Sequence, residues 1–227
     1  MLRARNVPLL ILAIVLIPTS FAFAIPFTFT ASGTAQSDGR PENAKAIIDF
    51  QSSMQMTITL ENTSGIVGGI SSVLDGFGFT FSTAPSSIML SSVAASGGII
   101  YDGSNFVPYT SGSSPYGWGV TGSTTPLLAA GNGSFKPWGI VNSNYDTTDG
   151  MPNAQHNPYL LGPVTFTLTL NGLTEIPNIT GTTFYFGTSG DTQSGIPAPV
   201  PEPATVLLLG SGLLGLAGYG RKKFFKK

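Results

Sequence analysis

The sequence holds a single histidine, His156, and no cysteine, which narrows the chemistry open to it at once. Nucleophilic catalysis by a Ser-His-Asp set would have to use His156, with Asp146 or Asp149 orienting its ring. The flanking Asn153, Gln155 and Asn157 read instead as a solvated loop, and no Gly-x-Ser-x-Gly elbow occurs in the body of the chain. Three-histidine and thiolate metal sites, disulfide frameworks and cysteine nucleophiles are all excluded. Asn142, Asn144, Asp146 and Asp149-Gly150 offer closely spaced oxygen ligands of the kind that bind Ca²⁺. Glycine is missing after Asp146, however, and no Glu stands twelfth from Asn142, so a polar turn fits better. A glycosidase would need a carboxylate pair among Asp102, Asp146, Asp149 and Glu175, and no spacing selects one. The chain is therefore expected not to be an enzyme, with no catalytic, cofactor-binding or metal-ligating residue and no cofactor.

Aromatic residues offer a different chemistry. Tyr101, Tyr109, Tyr116, Trp118, Trp138, Tyr145 and Tyr159 gather in and around a Gly-, Ser-, Asn- and Pro-rich stretch, 102–163. Aromatic faces beside Asn and Asp can stack on the apolar faces of sugars. The plainer reading is that they anchor loops, burying their rings while the polar tip finds a partner, and it is preferred.

The elements that position these residues are strands. With 29 Gly, 17 Pro and only 9% charged residues, the composition favours turns and disfavours helix interiors. Met54, Met56, Ile58 and Leu60 alternate with Gln55, Thr57 and Thr59, and Val164, Phe166, Leu168 and Leu170 with Thr165, Thr167 and Thr169. Such alternation marks strands with one buried face. Weaker strand candidates are 25–31, 44–50, 76–81, 87–90, 98–101 and 182–186. About eight to ten antiparallel strands would form a single β-sandwich over 25–199, with jelly-roll-like or Greek-key connections, folding without metal or disulfide.

The charges are segregated. Arg3 and Arg5 open the chain, while Arg221, Lys222, Lys223, Lys226 and Lys227 close it. Residues 25–203 hold three basic and eleven acidic side chains, a net −8 with His156 neutral. An acidic body argues against nucleic-acid binding, which needs Lys and Arg against phosphates. At the N-terminus, a basic start, an apolar run from Val7 to Ile17 and small residues at Ala22 and Ala24 form a signal peptide over 1–24. Signal peptidase is expected to cut after Ala24 and leave Ile25 as the mature N-terminus. At the other end, Ala204 to Gly220 is uncharged and would span about 26 Å as a helix, just enough for a bilayer core. Arg221, Lys222 and Lys223 follow as a stop-transfer cluster, leaving the C-terminus cytoplasmic and the body outside.

Val200-Pro201-Glu202-Pro203, the apolar span and the terminal basic cluster together resemble the PEP-CTERM sorting signal of bacterial exosortase substrates, over Val200 to Lys227. Segments 27–34, 56–63 and 164–168 are similar to features of β-rich surface domains that carry this tail. The resemblance implies that a membrane-embedded exosortase cuts near Pro201-Glu202-Pro203 and releases or transfers the domain. It also implies a cell-surface or extracellular destination in bacteria that make exopolysaccharide and biofilms, with a structural or adhesive role. The membrane is then a transient anchor, and exopolysaccharide a candidate partner. A secreted carbohydrate-binding module is the alternative.

Overall fold

The computed structural model describes residues 26–109, 116–146 and 149–198, and these are almost wholly β. The strands are β1 (Phe27–Thr34), β2 (Pro41–Ser52), β3 (Gln55–Asn62), β4 (Leu74–Phe81), β5 (Ser87–Tyr101), β6 (Phe106–Tyr109) and β7 (Gly119–Thr121). They continue as β8 (Leu127–Ala129), β9 (Ile140–Val141), β10 (Tyr159–Asn171), β11 (Ile179–Phe186), β12 (Asp191–Ser194) and β13 (Ile196–Pro197).

The clearest alternation in the sequence becomes the centre of the fold. β3 and β10 pair antiparallel, setting Met56 opposite Leu168, Ile58 opposite Phe166 and Leu60 opposite Val164. All six are fully buried. On the other face, the Thr59 and Thr165 hydroxyls hydrogen-bond across the strands at 3.0 Å. One face is thus sealed by apolar area, at about 1.5–3 kcal/mol for each large side chain, and the other is kept wet by cross-strand threonine pairs. β2 adds Ala44, Ala46, Ile48 and Phe50 to the same core, and β1 adds Phe29 and Ala31.

A second strand group faces this one. β4 contributes Phe77, Phe79 and Phe81, and β11 contributes Phe184 and Phe186. Phe81 meets Phe50 of β2 at 6.4 Å between ring centroids, although β4 and β2 share no ladder. The expected purely antiparallel, two-sheet arrangement is corrected here. All thirteen strands form one mixed sheet, because β9 runs parallel to β10 at Leu160 and Leu161 and also pairs with Leu74 of β4. Two residues of β9 therefore join the halves, and so short a strand leaves no period to read.

Another difference concerns β5. Sequence alternation suggests two short strands, 87–90 and 98–101, yet the structure makes one strand of 15 residues along the full length of β10. Its middle, from Ser91 to Gly97, is Ser, Ala, Gly and a single Val, so no pattern is visible. The pairing there also shifts register twice, and a shift moves side chains to the other face.

The connections give the molecule two ends. β2 turns into β3, β4 passes to β5 and β10 passes to β11 at one of them, while β1 begins part-way along β2, with Phe27 opposite Ile48. β13 runs back along β1 in the direction of this end, with Pro197 opposite Phe29 and the Ala198 N–H donating to Thr28 O at 2.8 Å. The first and last described residues therefore leave the fold side by side. The loops of 62–73 and 102–105, with residues 142–146 and 149–158, lie at the opposite end. Signal-peptide residues 1–24, the apolar span 204–220 and the basic tail 221–227 lie outside the described residues. Among the described residues, no helix is long and apolar enough to cross a membrane.

Candidate functional site

The aromatic residues divide into two sets. Trp118 is buried, with its indole against Phe166 at 4.7 Å, and its Nε1–H donates to the Trp138 carbonyl at 2.8 Å. Tyr159 is equally buried and donates its hydroxyl to Met151 O at 3.1 Å. Burial, with the Asp75 carboxyl nearby, raises the Tyr159 phenol far above its ordinary value. Phe106 gathers Tyr101, Tyr145 and Tyr159 into a smaller core, at 5.4, 5.7 and 6.0 Å. These rings anchor loops.

Tyr109, Tyr116 and Trp138 do something else. They stand half-buried around a cavity of about 200 Å³, floored by Ala95, Gly97 and Gly98 of β5 and Leu160 of β10. The Trp138 ring lies 5.5 Å from Tyr109 and 5.6 Å from Tyr116. Gly98 makes the floor possible, since a Cβ there would stand 3.0 Å from Tyr159 O and 3.2 Å from Tyr109 O. Trp138 is held with φ 76° and Tyr116 with φ 52°. Left-handed backbone at non-glycine residues costs on the order of 1–3 kcal/mol each and persists only where surroundings impose it. At Trp138 those surroundings are its N–H bond to Pro158 O at 2.7 Å and its carbonyl's bond from Trp118. The chain thus fixes the backbone on both sides and leaves the ring to line the cavity. The cavity is smaller than the about 300 Å³ at which drug-sized pockets begin. It offers flat apolar faces, two phenol hydroxyls and no ionisable acid or imidazole, which suits stacking on one sugar ring and does not suit acid–base chemistry.

The polar candidates are otherwise engaged. Asn142 donates to Ser64 O and accepts from the Asn144 N–H at 2.8 Å, while Asn144 donates to Gly65 O at 2.6 Å. The Asp146 N–H bonds Val67 O at 2.9 Å. Asp149 pairs with the Arg40 guanidinium, which also donates to Gly68 O and pairs with Asp38 at 3.2 Å. The loop expected to offer oxygen ligands is thereby stitched onto residues 64–68, and a cation already sits on Asp149. His156 binds Gly150 O through Nδ1 at 2.9 Å, so its partner is a carbonyl and not an acid. Asp102 caps its own turn by accepting from the Ser104 and Asn105 N–H groups at 2.8 Å each, and the Asn105 bond leads in lowering its pKa. Glu175 sits in the β10–β11 loop at the opposite end of the molecule, so it forms no pair with Asp102. Among the described residues, no group of three or more His, Asp or Glu side chains is arranged to hold a metal ion.

Two acids were not singled out by sequence. Asp75 is buried, its Oδ2 has no hydrogen-bond partner, and desolvation holds its pKa well above the ordinary 3.8. Glu42 is fully buried on β2; its Oε2 accepts from Gln193 Nε2 at 2.6 Å, and burial again raises it. A signal existed for Glu42, which shares its parity with Ala44, Ala46, Ile48 and Phe50 and so falls on the inward face. None existed for Asp75, whose neighbours alternate on neither period.

Ala22 and Ala24, the sorting residues Val200, Pro201, Glu202 and Pro203, and the basic cluster Arg221, Lys222 and Lys223 lie outside the described residues. What the fold delivers is an all-β body whose last strand carries the chain to residue 198, beside the start of β1. Residues 199–222 match the PEP-CTERM protein-sorting motif, so the chain carries this tail and is targeted for export and surface sorting by exosortase. No curated protein and no solved structure matches the chain.

Proposed function

We propose that this chain is an exosortase substrate whose β domain serves a structural or adhesive role at the cell surface or in the extracellular matrix, in association with exopolysaccharide or biofilm. The observation that carries the reading is the sorting motif at 199–222, which starts directly after the last residue held in the sheet. Signal peptidase removes residues 1–24, and the apolar span then holds the domain at the inner membrane until exosortase acts. Two prolines flanking Glu202 remove backbone donors and favour an extended segment, the form in which a processing enzyme reads a chain. Replacing Glu202 with Ala should leave export intact and stop maturation. Intact-mass measurement on the native host's protein should then find the full C-terminal tail in the membrane fraction. A Glu202→Ala protein with the same trimmed mass as wild type would overturn the reading.

The cavity at Tyr109, Tyr116 and Trp138 favours a second reading, a displayed carbohydrate-binding module. Three aromatic faces held by an imposed backbone are a preorganised surface, and preorganisation cuts the ordering cost of binding. A glycan array comparing the domain with its Trp138→Ala variant tests it. Binding lost in the variant supports the module, and no binding by either protein leaves the structural role.

A further inference from the structure

Glycine weakens a strand, and inside one it marks a bulge or a place where something approaches the backbone closely. β4 and β11 carry three such glycines on the face turned away from the core. Register sets Gly181 of β11 opposite Thr80, Gly78 of β4 opposite Thr183, and Gly76 of β4 opposite Tyr185. Each pair joins a glycine to a side chain that bears a hydroxyl. Two of the glycines have a reason within the fold. A Cβ at Gly76 would stand 3.1 Å from the Phe135 ring, and one at Gly78 would stand 3.2 Å from the Tyr185 ring. Gly181 has no such reason, because the nearest atom to its Cβ position is Thr80 Oγ1 at 3.9 Å. The register slips beside it, at Thr180, but a bulge requires glycine only where φ is left-handed, and that of Gly181 is not.

Over Gly78 and Gly181 lies an open groove of about 340 Å³. Pro126 and Leu127, the latter opposite Gly78 on β8, form its apolar side. Tyr185 lines it from the β11 side, half-buried, its ring 5.4 Å from that of Phe135 with 24° between the planes. Phe135 is itself held at φ 58°, with its N–H bonded to Ala130 O at 3.1 Å. The Tyr185 ring thus has a fixed neighbour before any ligand arrives, which lowers the ordering cost of binding. Thr80, Thr125 and Thr183 add hydroxyls that both donate and accept. None of the described residues lining the groove is an acid, a Lys, an Arg or a His.

We infer that this groove binds an uncharged glycan chain, with one pyranose ring lying over Gly78 and Gly181. The lining selects that class. An ionic ligand would meet no countercharge here. A peptide could not add as a strand, because β4 is already paired on both sides, with β11 and with β8. An acyl chain would bury the threonine hydroxyls and the phenol without partners, which is costly. A sugar instead lays an apolar ring face against Leu127, Pro126 and Tyr185 and turns its own hydroxyls to the threonines. The bare glycine floor lets its ring come close to the sheet. The groove shares no residue with the cavity at Tyr109, Tyr116 and Trp138, so the two sites are independent of each other and of the sorting tail.

Gly181→Val makes the test direct. A Cβ has room there and valine suits a strand, while its methyl groups would occupy the floor of the groove. The full chain, in a detergent without sugar groups, would be screened on an array of neutral and uronate-containing oligosaccharides beside Gly181→Val, Thr183→Val and Trp138→Ala. Wild type should bind a neutral oligosaccharide, and Trp138→Ala should bind the same one equally well. Gly181→Val should weaken that binding by about ten-fold or more, as overfilling a fitted space does. Thr183→Val, which removes one hydroxyl and keeps the shape, should weaken it by about five-fold. Urea midpoints report whether Gly181→Val stays folded, and if it does not, Thr183→Val decides. Binding that the two groove variants leave unchanged would overturn the inference. So would loss in Trp138→Ala alone, a preference for uronates, or no binding by wild type, and each of these leaves the sorting reading intact.

Discussion

The β2–β3–β10 strands and the described residues of the segment from Tyr116 to Pro158 reach order by opposite routes. In the strands, a period of two puts every second side chain inward, and the ladder satisfies the backbone without help from side chains. The segment has three strands of two or three residues and no period, so its order comes from single residues with specific partners. Trp118 drives an indole onto Phe166, Asn142 and Asn144 hold backbone carbonyls of the preceding loop, and Asn157 Nδ2 reaches Met151 O and Asn153 O at 2.8 Å each. Irregular backbone is thus not loose backbone. Its polar groups are bonded one at a time, and its apolar anchor is shared with the most regular part of the fold.

The sharpest way to break that comparison is at the shared contact. Phe166→Ala and Trp118→Ala should each cost about 3–5 kcal/mol in urea denaturation, as buried aromatic truncations do. The double variant should lose less than the sum, because both singles remove the same packing. If Trp118→Ala cost under about 1 kcal/mol, the segment would be a passenger and the contrast would fail.

A smaller effect, opposite in sign, is expected at Asp75 on β4, the strand that pairs with β8 and β9 of the irregular segment. Its folded pKa is raised, so the folded state holds the proton more tightly than the unfolded chain. Stability is full below the ordinary carboxylate value and declines as pH rises from there towards the folded pKa. Asp75→Asn removes that decline. Below about pH 4 the variant should match wild type, and above it should become the more stable by up to about 1.4 kcal/mol per pH unit within that window. Urea midpoints across the pH series would show it, and parallel curves would refute a buried, unpaired carboxyl. The smallest effect belongs to Arg40, which ties Asp38 and Asp149 together. Arg40→Ala should cost no more than about 1 kcal/mol, a loss that salt erodes, as for partly exposed pairs generally. A large loss that salt erodes would mean that the ion pairs, and not the asparagine bonds, hold Asn142, Asn144 and Asp149 in place.

What the sequence disclosed follows the same division. Val164 to Leu170 and Met54 to Leu60 declared their strands because large apolar residues alternate with threonine. Ser91 to Gly97 hid the middle of β5 because small residues carry no contrast, and Ile140-Val141 hid the parallel joint because two residues have no period. The aromatic residues around 102–163 were visible as a set. Which of them anchor and which line the cavity depends on tertiary placement, at Trp138 and Tyr116 through a positive φ that nothing in residue type announces. The tail was legible for another reason, since a sorting signal must be read by an enzyme from the chain itself.

The pairing of β13 with β1 also bears on how the domain carries load. A pull on its C-terminal side first meets two register pairs in β13, then four in β12, against eight between β1 and β2. The catch on this sequence is Gln193, bonded to the buried Glu42. Residues 191–198 would therefore strip away before the core opened, paying out about 26 Å of chain at some 3.3 Å per residue. The β domain would hang from the tail by a yielding tether, its phenylalanine core untouched until that slack was spent.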